Sequence, residues 1–132
     1  MHLDLVTVGT ELLLGQTVDT NSAHIGRTLA AIGVRVVQRT SVSDDAAAIR
    51  DAVAQGLARS GFVLTTGGLG PTRDDLTKHV VAELLGMELA FDETVWAALV
   101  ARYERLGRVP SPSNRTQAMV PTGGVVLPNQ WG

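Results

Sequence analysis

The stretch FVLTTGGLGPTRDDLTKHVVAELL, residues 62–85, contains one complete strand–loop–helix unit. Phe62 to Thr66 is a short apolar run with the length and composition typical of a buried strand. Three glycines and a proline follow within residues 67–71, and an apolar stripe at helical spacing begins after Asp75. A strand that passes through a glycine-rich loop into a helix is the repeating unit of parallel α/β sheets.

Two similar units precede this stretch. Leu3 to Val8 predicts a first strand, and the helix behind it ends at Gly33. Residues 34–42 predict a second strand, followed by a helix that begins near residues 43–45 and closes at Gly61. The order βαβαβα predicts an α/β fold of three layers, αβα, with a mostly parallel sheet and right-handed crossovers.

The signals weaken beyond this point. Residues 93–106 carry a helical stripe, residues 114–119 suit a short helix, and residues 125–127 read as a strand. Residues 129–132 read as the start of a loop with nothing behind it. We therefore expect residues 1–132 to form one domain that lacks its carboxyl-terminal end.

Composition excludes several classes of protein. The 132 residues are 45% hydrophobic, and 11 basic residues against 13 acidic ones leave a net charge of −2. Such a balance argues against nucleic acid and membrane surfaces as partners, since both are bound by clustered basic residues. The absence of cysteine excludes disulfides, zinc–thiolate sites and a thiol nucleophile. With no signal peptide and no membrane-length apolar run, the expected location is the cytoplasm.

Carboxylates follow each of the three predicted strands. Glu11 comes after the first strand, Asp44 after the second, and Asp75 after the third. Ligands of open parallel sheets bind beyond the carboxyl ends of the strands, so these side chains are candidates for one site. Carboxylates gathered there would hold a divalent metal or act as general acid or base.

A structural interpretation competes with the functional one at two of these positions. Asp44 is explained equally well by capping of the following helix. Asp75 fits a loose capping box with Thr72. Glu11 gains little from neighbouring backbone groups, which favours a functional role.

The glycine loop also has two interpretations. Gly67, Gly68 and Gly70 lie between a strand and a helix, where free backbone N–H groups can cradle phosphate or another anion. The loop is not a Walker A motif or a dinucleotide fingerprint, because it lacks both the Gly-Lys-Ser/Thr ending and the third glycine. The competing interpretation is a tight turn that requires positive φ.

Four segments taken together resemble the CinA family of competence/damage-inducible proteins. GTELLLGQ at residues 9–16, with Asp19-Thr20-Asn21 behind it, is similar to the opening of that family. TGGLGPTRDDLTK at residues 66–78 resembles its second signature, and NRTQA at residues 114–118 and LPN at residues 127–129 match later blocks. The resemblance spans nearly the whole chain.

The resemblance implies a molybdopterin-binding (MogA/MoaB-like) fold and a catalytic set of Glu11, Asp44 and Asp75. It implies metal-dependent hydrolysis of ADP-ribose to AMP and ribose 5-phosphate, with Mg, Mn or Co held by Asp44 and Asp75. The nicotinamide mononucleotide deamidase of the family belongs to a separate domain and is not assigned here. The expected ligand-binding residues lie at motif positions: Thr10, Asn21, Gly67, Gly68, Gly70, Thr72, Thr77 and Asn114.

Two other functions stay open at this point. One is a domain that binds molybdopterin or a nucleotide without hydrolysing it, as in molybdenum-cofactor biosynthesis proteins. The other is a structural domain that assembles an oligomer. For all three functions we expect a homo-oligomer, a dimer or a trimer. For the hydrolase and for the binding domain we also expect a small-molecule nucleotide or pterin as partner.

Overall fold

A three-stranded parallel sheet forms the centre of the fold in the computed structural model, which describes residues 1–129. Its strands are β1 (His2–Val8), β2 (Arg35–Val42) and β3 (Val63–Thr66). The order is β2-β1-β3, so β1 is the central strand. Val8 pairs with Val42 and Thr7 with Thr66, which aligns the three carboxyl ends. The predicted parallel α/β architecture is confirmed.

The helices begin and end largely where their capping residues predict. Asp19 accepts a hydrogen bond from the N–H of Ser22, and Asp45 accepts one from Ala48, each at 2.9 Å. Gly61 closes the third helix with a φ of +76°. The α-helices within residues 1–129 are α1 (Thr10–Leu13), α2 (Thr20–Ala31), α3 (Ala46–Ser60), α4 (Thr77–Leu84) and α5 (Glu93–Arg105).

The core lies mainly between β1 and the helices α3 and α4. Val6 and Val8 of β1 pack against Ile49 and Val53 of α3 and against Val80 of α4. The alternate residues of β1 turn to the opposite face and are equally buried, as expected for a central strand with helices on both faces. They are Leu3, Leu5 and Thr7.

The amino-terminal half of β1 holds a buried ion pair. Asp4 is only 2% exposed, and its Oδ1 accepts a hydrogen bond from Nε of Arg59 at 2.8 Å and forms an ion pair with Nη2 at 2.6 Å. Burial alone would raise the pKa of Asp4, but the hydrogen bond and charge of Arg59, together with the Ser60 hydroxyl, outweigh it and hold that pKa below its usual value. This pair ties the end of α3 to the central strand.

Helix α4 begins two residues later than predicted. The sequence places its start near Asp75, but the first helical residue is Thr77 and Leu76 precedes it without a side-chain cap. The reason is that Asp75 folds back to accept hydrogen bonds from Thr72. Its carboxylate therefore closes the glycine loop rather than the end of the helix.

The prediction of a strand at residues 125–127 is wrong. The last described strand is β5 (Met119–Pro121), which pairs antiparallel with β4 (Leu89–Phe91) after a 3₁₀ helix over Pro112–Ala118. Gly123, with a φ of +80°, ends β5 in a turn, and Val125 and Leu127 then lie 85% and 80% exposed. The predicted loop at residues 130–132 lies outside the described residues.

No helix within residues 1–129 is long and apolar enough to cross a bilayer. The longest, α3, has 15 residues. This length falls short of the roughly 20 residues that a spanning helix needs.

Candidate functional site

The glycine loop is a tightly built turn. Gly67 and Gly68 have φ values of +91° and +61°, which favour glycine. A Cβ at Gly67 would overlap the carbonyl oxygen of Val8, and one at Gly68 would overlap the hydroxyl oxygen of Thr77. The turn interpretation is therefore confirmed for both glycines. It leaves the anion-binding prediction open, because backbone N–H groups can serve a ligand from the same turn.

Thr77 clamps this loop from the start of α4. Its buried hydroxyl donates to the carbonyl of Gly67 at 2.9 Å, and its backbone N–H donates to the carbonyl of Gly68 at 3.2 Å. The sequence predicts Thr77 as a ligand-binding residue. In the structure its hydroxyl instead holds the loop in place.

Asp75 closes the second half of the loop. Its Oδ2 accepts hydrogen bonds from the N–H and the hydroxyl of Thr72, at 2.8 and 2.5 Å. Burial would raise the pKa of Asp75, but these hydrogen bonds and one from the N–H of Gly70 outweigh it and hold the pKa below its usual value. Asp75 is thus an anchored, ionised carboxylate.

A cavity of about 430 Å³ opens beneath this loop. We call it the glycine-loop cavity. Three of its lining residues are basic or titratable side chains that our sequence predictions omit: Arg73, Lys78 and His79. The remaining lining residues come from the loop, from the start of α4 and from the 3₁₀ helix: Gly68, Leu69, Gly70, Pro71, Thr72, Asp75, Leu76, Ser113 and Thr116.

Glu11 lies beside a second, smaller cavity of about 160 Å³, which we call the Glu11 cavity. Asn21 and Gly67 line it as well. Gly67 lines this cavity and Gly68 lines the other, so neighbouring residues of the glycine loop border two separate spaces. The structure therefore brings Glu11 and Asn21 to one side of the loop and Asp75 to the other.

Asp44 lines neither cavity and caps a different helix from the one expected. Its Oδ2 accepts hydrogen bonds from the N–H and the hydroxyl of Thr10, both at 2.9 Å, and its own N–H donates to that hydroxyl at 3.2 Å. Thr10 begins α1, whereas α3 is capped by Asp45. Asp44 and Thr10 thus form a reciprocal cap that joins the loops after β1 and β2.

We expect Asp44→Ala to lower the free energy of unfolding by about 1 kcal/mol, the usual cost of removing a helix cap. Asp44→Asn is expected to cost less, because its amide oxygen still accepts from Thr10. Urea unfolding followed by circular dichroism measures both values. Equal stability of wild type and Asp44→Ala would contradict the capping role.

Asn114 is buried with its amide fully used inside the protein. Its Oδ1 accepts hydrogen bonds from the N–H and the hydroxyl of Ser111, and its Nδ2 donates to Tyr103 and Gln117. Asn114 therefore fixes the 3₁₀ helix against α5. Its neighbour Ser113 lines the glycine-loop cavity in its place.

The residues present do not fit a metal site built by the protein alone. Within residues 1–129, no group of three or more histidine, aspartate or glutamate side chains is placed to hold a metal ion. The carboxylates of Asp44 and Asp75 are also committed to Thr10 and Thr72. Asp44 and Asp75 therefore form no preformed metal site in the described part of the chain, and a cation at Asp75 would need further ligands from a substrate.

Comparison with known proteins gives consistent matches over nearly the whole chain. The family model described as "Probable molybdopterin binding domain" matches residues 4–128. A CinA-like protein of Gemmatimonas aurantiaca is 50% identical over 133 aligned positions that cover all of this chain. The chain spans only 31% of that relative's length.

Solved structures agree with these sequence matches. CinA from Thermoplasma acidophilum superposes with a TM-score of 0.84 at 34% identity, covering 99% of this chain and 76% of that one. The tungsten cofactor synthesizing protein MoaB from Pyrococcus furiosus superposes with a TM-score of 0.61 at 30% identity, covering 80% and 64%. The molybdopterin-binding fold expected from the sequence is thus confirmed.

Proposed function

Because this chain belongs to the molybdopterin-binding domain family, among its CinA-like members, we propose that it binds a phosphate-bearing ligand at the glycine loop and hydrolyses the pyrophosphate of ADP-ribose. Water adds across one phosphorus–oxygen bond, and the products are AMP and ribose 5-phosphate. The observation that carries this proposal is the glycine-loop cavity, where loop residues Gly68 and Gly70 meet the cationic side chain of Lys78.

Backbone geometry supports phosphate binding at this cavity. The turn after β3 lies at the carboxyl end of the parallel sheet, which is where such folds bind ligands. The loop also joins the end of β3 to the start of α4, where backbone N–H groups without helical partners can point at one anion. A volume of about 430 Å³ is within the usual range for a small-molecule site.

Glu11 is the residue we propose as general base. Within residues 1–129 its side chain makes no hydrogen bond or ion pair, so its carboxylate is available to take a proton from water. Asp75 is less suited to this role, because its hydrogen bonds to Thr72 favour the ionised form and weaken it as a base. We assign Asp75 to holding the loop in its binding conformation.

A divalent cation enters this proposal only together with the substrate. Mg²⁺ is commonly held by one or two carboxylates plus phosphate oxygens rather than by an all-protein cage. Mn²⁺ and Co²⁺ are the other candidates. Asp75 is the predicted ligand that lines the glycine-loop cavity, and a bound cation would supply charge neutralisation at the phosphates.

We expect Glu11→Gln to reduce hydrolysis of ADP-ribose by about 100-fold, the lower range for loss of a general base. Binding of ADP-ribose should change little, because the variant keeps the size of the side chain. Chromatographic measurement of AMP gives the rate, and calorimetric titration gives the affinity. If Glu11→Gln retains full activity, Glu11 is not the base.

A pterin-binding function without hydrolysis is the second candidate, and the description of the matched family favours it. The same loop would hold the phosphate of molybdopterin. Incubation of the chain with ADP-ribose and a divalent cation separates the two candidates. Formation of AMP and ribose 5-phosphate in equal amounts supports hydrolysis, whereas ADP-ribose that binds and stays intact supports the second function.

We also propose a homo-oligomer, a dimer or a trimer, located in the cytoplasm. Exposed apolar side chains such as Val125 and Leu127 offer surface for association. Light scattering at micromolar concentration measures the assembly.

A further inference from the structure

Lys78 stands at the wall of the glycine-loop cavity in an unusual setting for a lysine. It is the second residue of α4 and is half-buried. Its Nζ donates a hydrogen bond to the carbonyl of Thr116 at 2.7 Å and makes a longer contact of 3.5 Å with that of Gln117. These carbonyls fix the ammonium beside the cavity instead of leaving it to extend into solvent.

Within residues 1–129, no carboxylate neutralises this ammonium. The two ion pairs there join Arg50 to Glu83 and Arg59 to Asp4, and neither includes Lys78. Burial lowers the pKa of Lys78, with no carboxylate opposing that shift. A partly buried cation without a counter-charge is costly, and a bound anion would remove that cost.

The composition of the chain singles out the same residue. Lys78 is its only lysine, and the other ten of its eleven basic residues are arginines. An ammonium is a compact charge with three donors, whereas a guanidinium is a wide planar fork. Lys78 can therefore contact the carbonyl of Thr116 and still present a donor to a ligand in the cavity.

We infer that the ammonium of Lys78 is the counter-charge for a phosphoryl group bound beneath the glycine loop. The inference rests on the proposed function, since it names the binding residue of that same site. The loop supplies the backbone N–H groups of Gly68 and Leu69, and Lys78, which lines the same cavity, supplies the positive charge. The ligand class is a phosphate monoester or a diphosphate, which the nucleotide and pterin candidates share.

The single lysine allows a test that needs no substitution. Protein labelled with ¹³C and ¹⁵N only in lysine has one side-chain ε-CH₂ signal in its NMR spectrum. We expect titration with inorganic pyrophosphate to move this signal along a saturating curve. A second sample, labelled uniformly with ¹⁵N, reports the backbone amides of residues 67–70. A lysine signal that does not move while these amides do would overturn the inference and leave the anion loop intact. A failure of both to move would overturn the inference as well.

Substitutions then measure the size of the effect. We expect Lys78→Met to weaken pyrophosphate binding by about tenfold or more in calorimetric titration, and Lys78→Arg to recover part of that loss. Arg50→Met, which removes an equal charge from an exposed pair outside the cavity, should bind as the wild type does. Equal affinities for Lys78→Met and Arg50→Met, with both variants folded by circular dichroism, would overturn the inference.

Two further arms separate this inference from the proposed reaction. In the first arm, the affinity for inorganic phosphate is compared with the affinity for pyrophosphate. A higher affinity for pyrophosphate supports contact of Lys78 with a diphosphate, whereas equal affinities support a monoester. Pyrophosphate binding requires no hydrolysis. Loss of binding in Lys78→Met therefore supports the inference even if the wild type forms no AMP from ADP-ribose, a result that would reject the hydrolase alone.

Discussion

Gly67→Ala is expected to lower the free energy of unfolding by more than about 3 kcal/mol and to abolish ligand binding. Two costs add at this position. The φ of +91° is unfavourable for any residue with a Cβ, and that Cβ would also overlap the carbonyl oxygen of Val8. Val8 belongs to the buried central strand, so its backbone cannot move aside without disturbing the sheet.

Gly61→Ala is the matched control for this result. Gly61 has a φ of +76°, but a Cβ there would meet no atom within 4 Å. Gly61→Ala should therefore lower the free energy of unfolding only by the conformational strain of a positive φ, about 1–2 kcal/mol. Urea unfolding of both variants gives the difference, and equal losses would show that the contact with Val8 is relieved without cost.

Arg59→Met is expected to lower the free energy of unfolding at pH 7 by about 3 kcal/mol, because it leaves the buried carboxylate of Asp4 without its partner. The other oxygen of Asp4, Oδ2, is already buried without a hydrogen bond within the described part of the chain. This loss in the free energy of unfolding lies at the low end of the range for broken buried ion pairs, because the side chain of Arg59 is 39% exposed. Arg50→Met, in an exposed pair, should cost less than about 1 kcal/mol.

The effect of Arg59→Met depends on pH in a defined direction. In the wild type the pKa of Asp4 is lowered, so its stabilising contribution is present above the unfolded pKa of about 3.9 and is lost as the pH falls through the folded pKa. In the variant the hydrogen bond and the charge of Arg59 are gone, so the pKa of Asp4 is higher than in the wild type. The difference between the two proteins should therefore shrink on acidification. A difference that stays constant from pH 7 down to about pH 3 would contradict this assignment.

Local sequence patterns predicted the parallel sheet because its strands and helices carry their own signals. The apolar run of β1, the cap at Asp19 and the stop at Gly61 each act within a few residues. The three-residue strands β4 and β5 carry no such signal, because they form only by pairing with each other. The run at residues 125–127 has strand-forming residues but pairs with no strand within residues 1–129, which is why its prediction failed.

The candidate site was predicted where its residues are adjacent in sequence and missed where they are not. The glycine loop and Asp75 lie in one motif. The cap formed by Asp44 on Thr10 joins residues 34 positions apart, so no local pattern reveals it. The helical position of Lys78 gives no functional signal, because a lysine on a helix is usually solvated, whereas its being the only lysine of the sequence does single it out.

Strand β1 carries the Asp4 ion pair near one end and supports the glycine loop through Val8 at the other. Val8 lies four positions after Asp4, about 13 Å along an extended strand. Changes that strengthen one end can therefore accumulate without altering the shape of the other. This separation suits the chain to directed evolution. Stabilising substitutions can be selected around α3 and the start of β1, while the loops beyond Val8 are diversified toward new ligands.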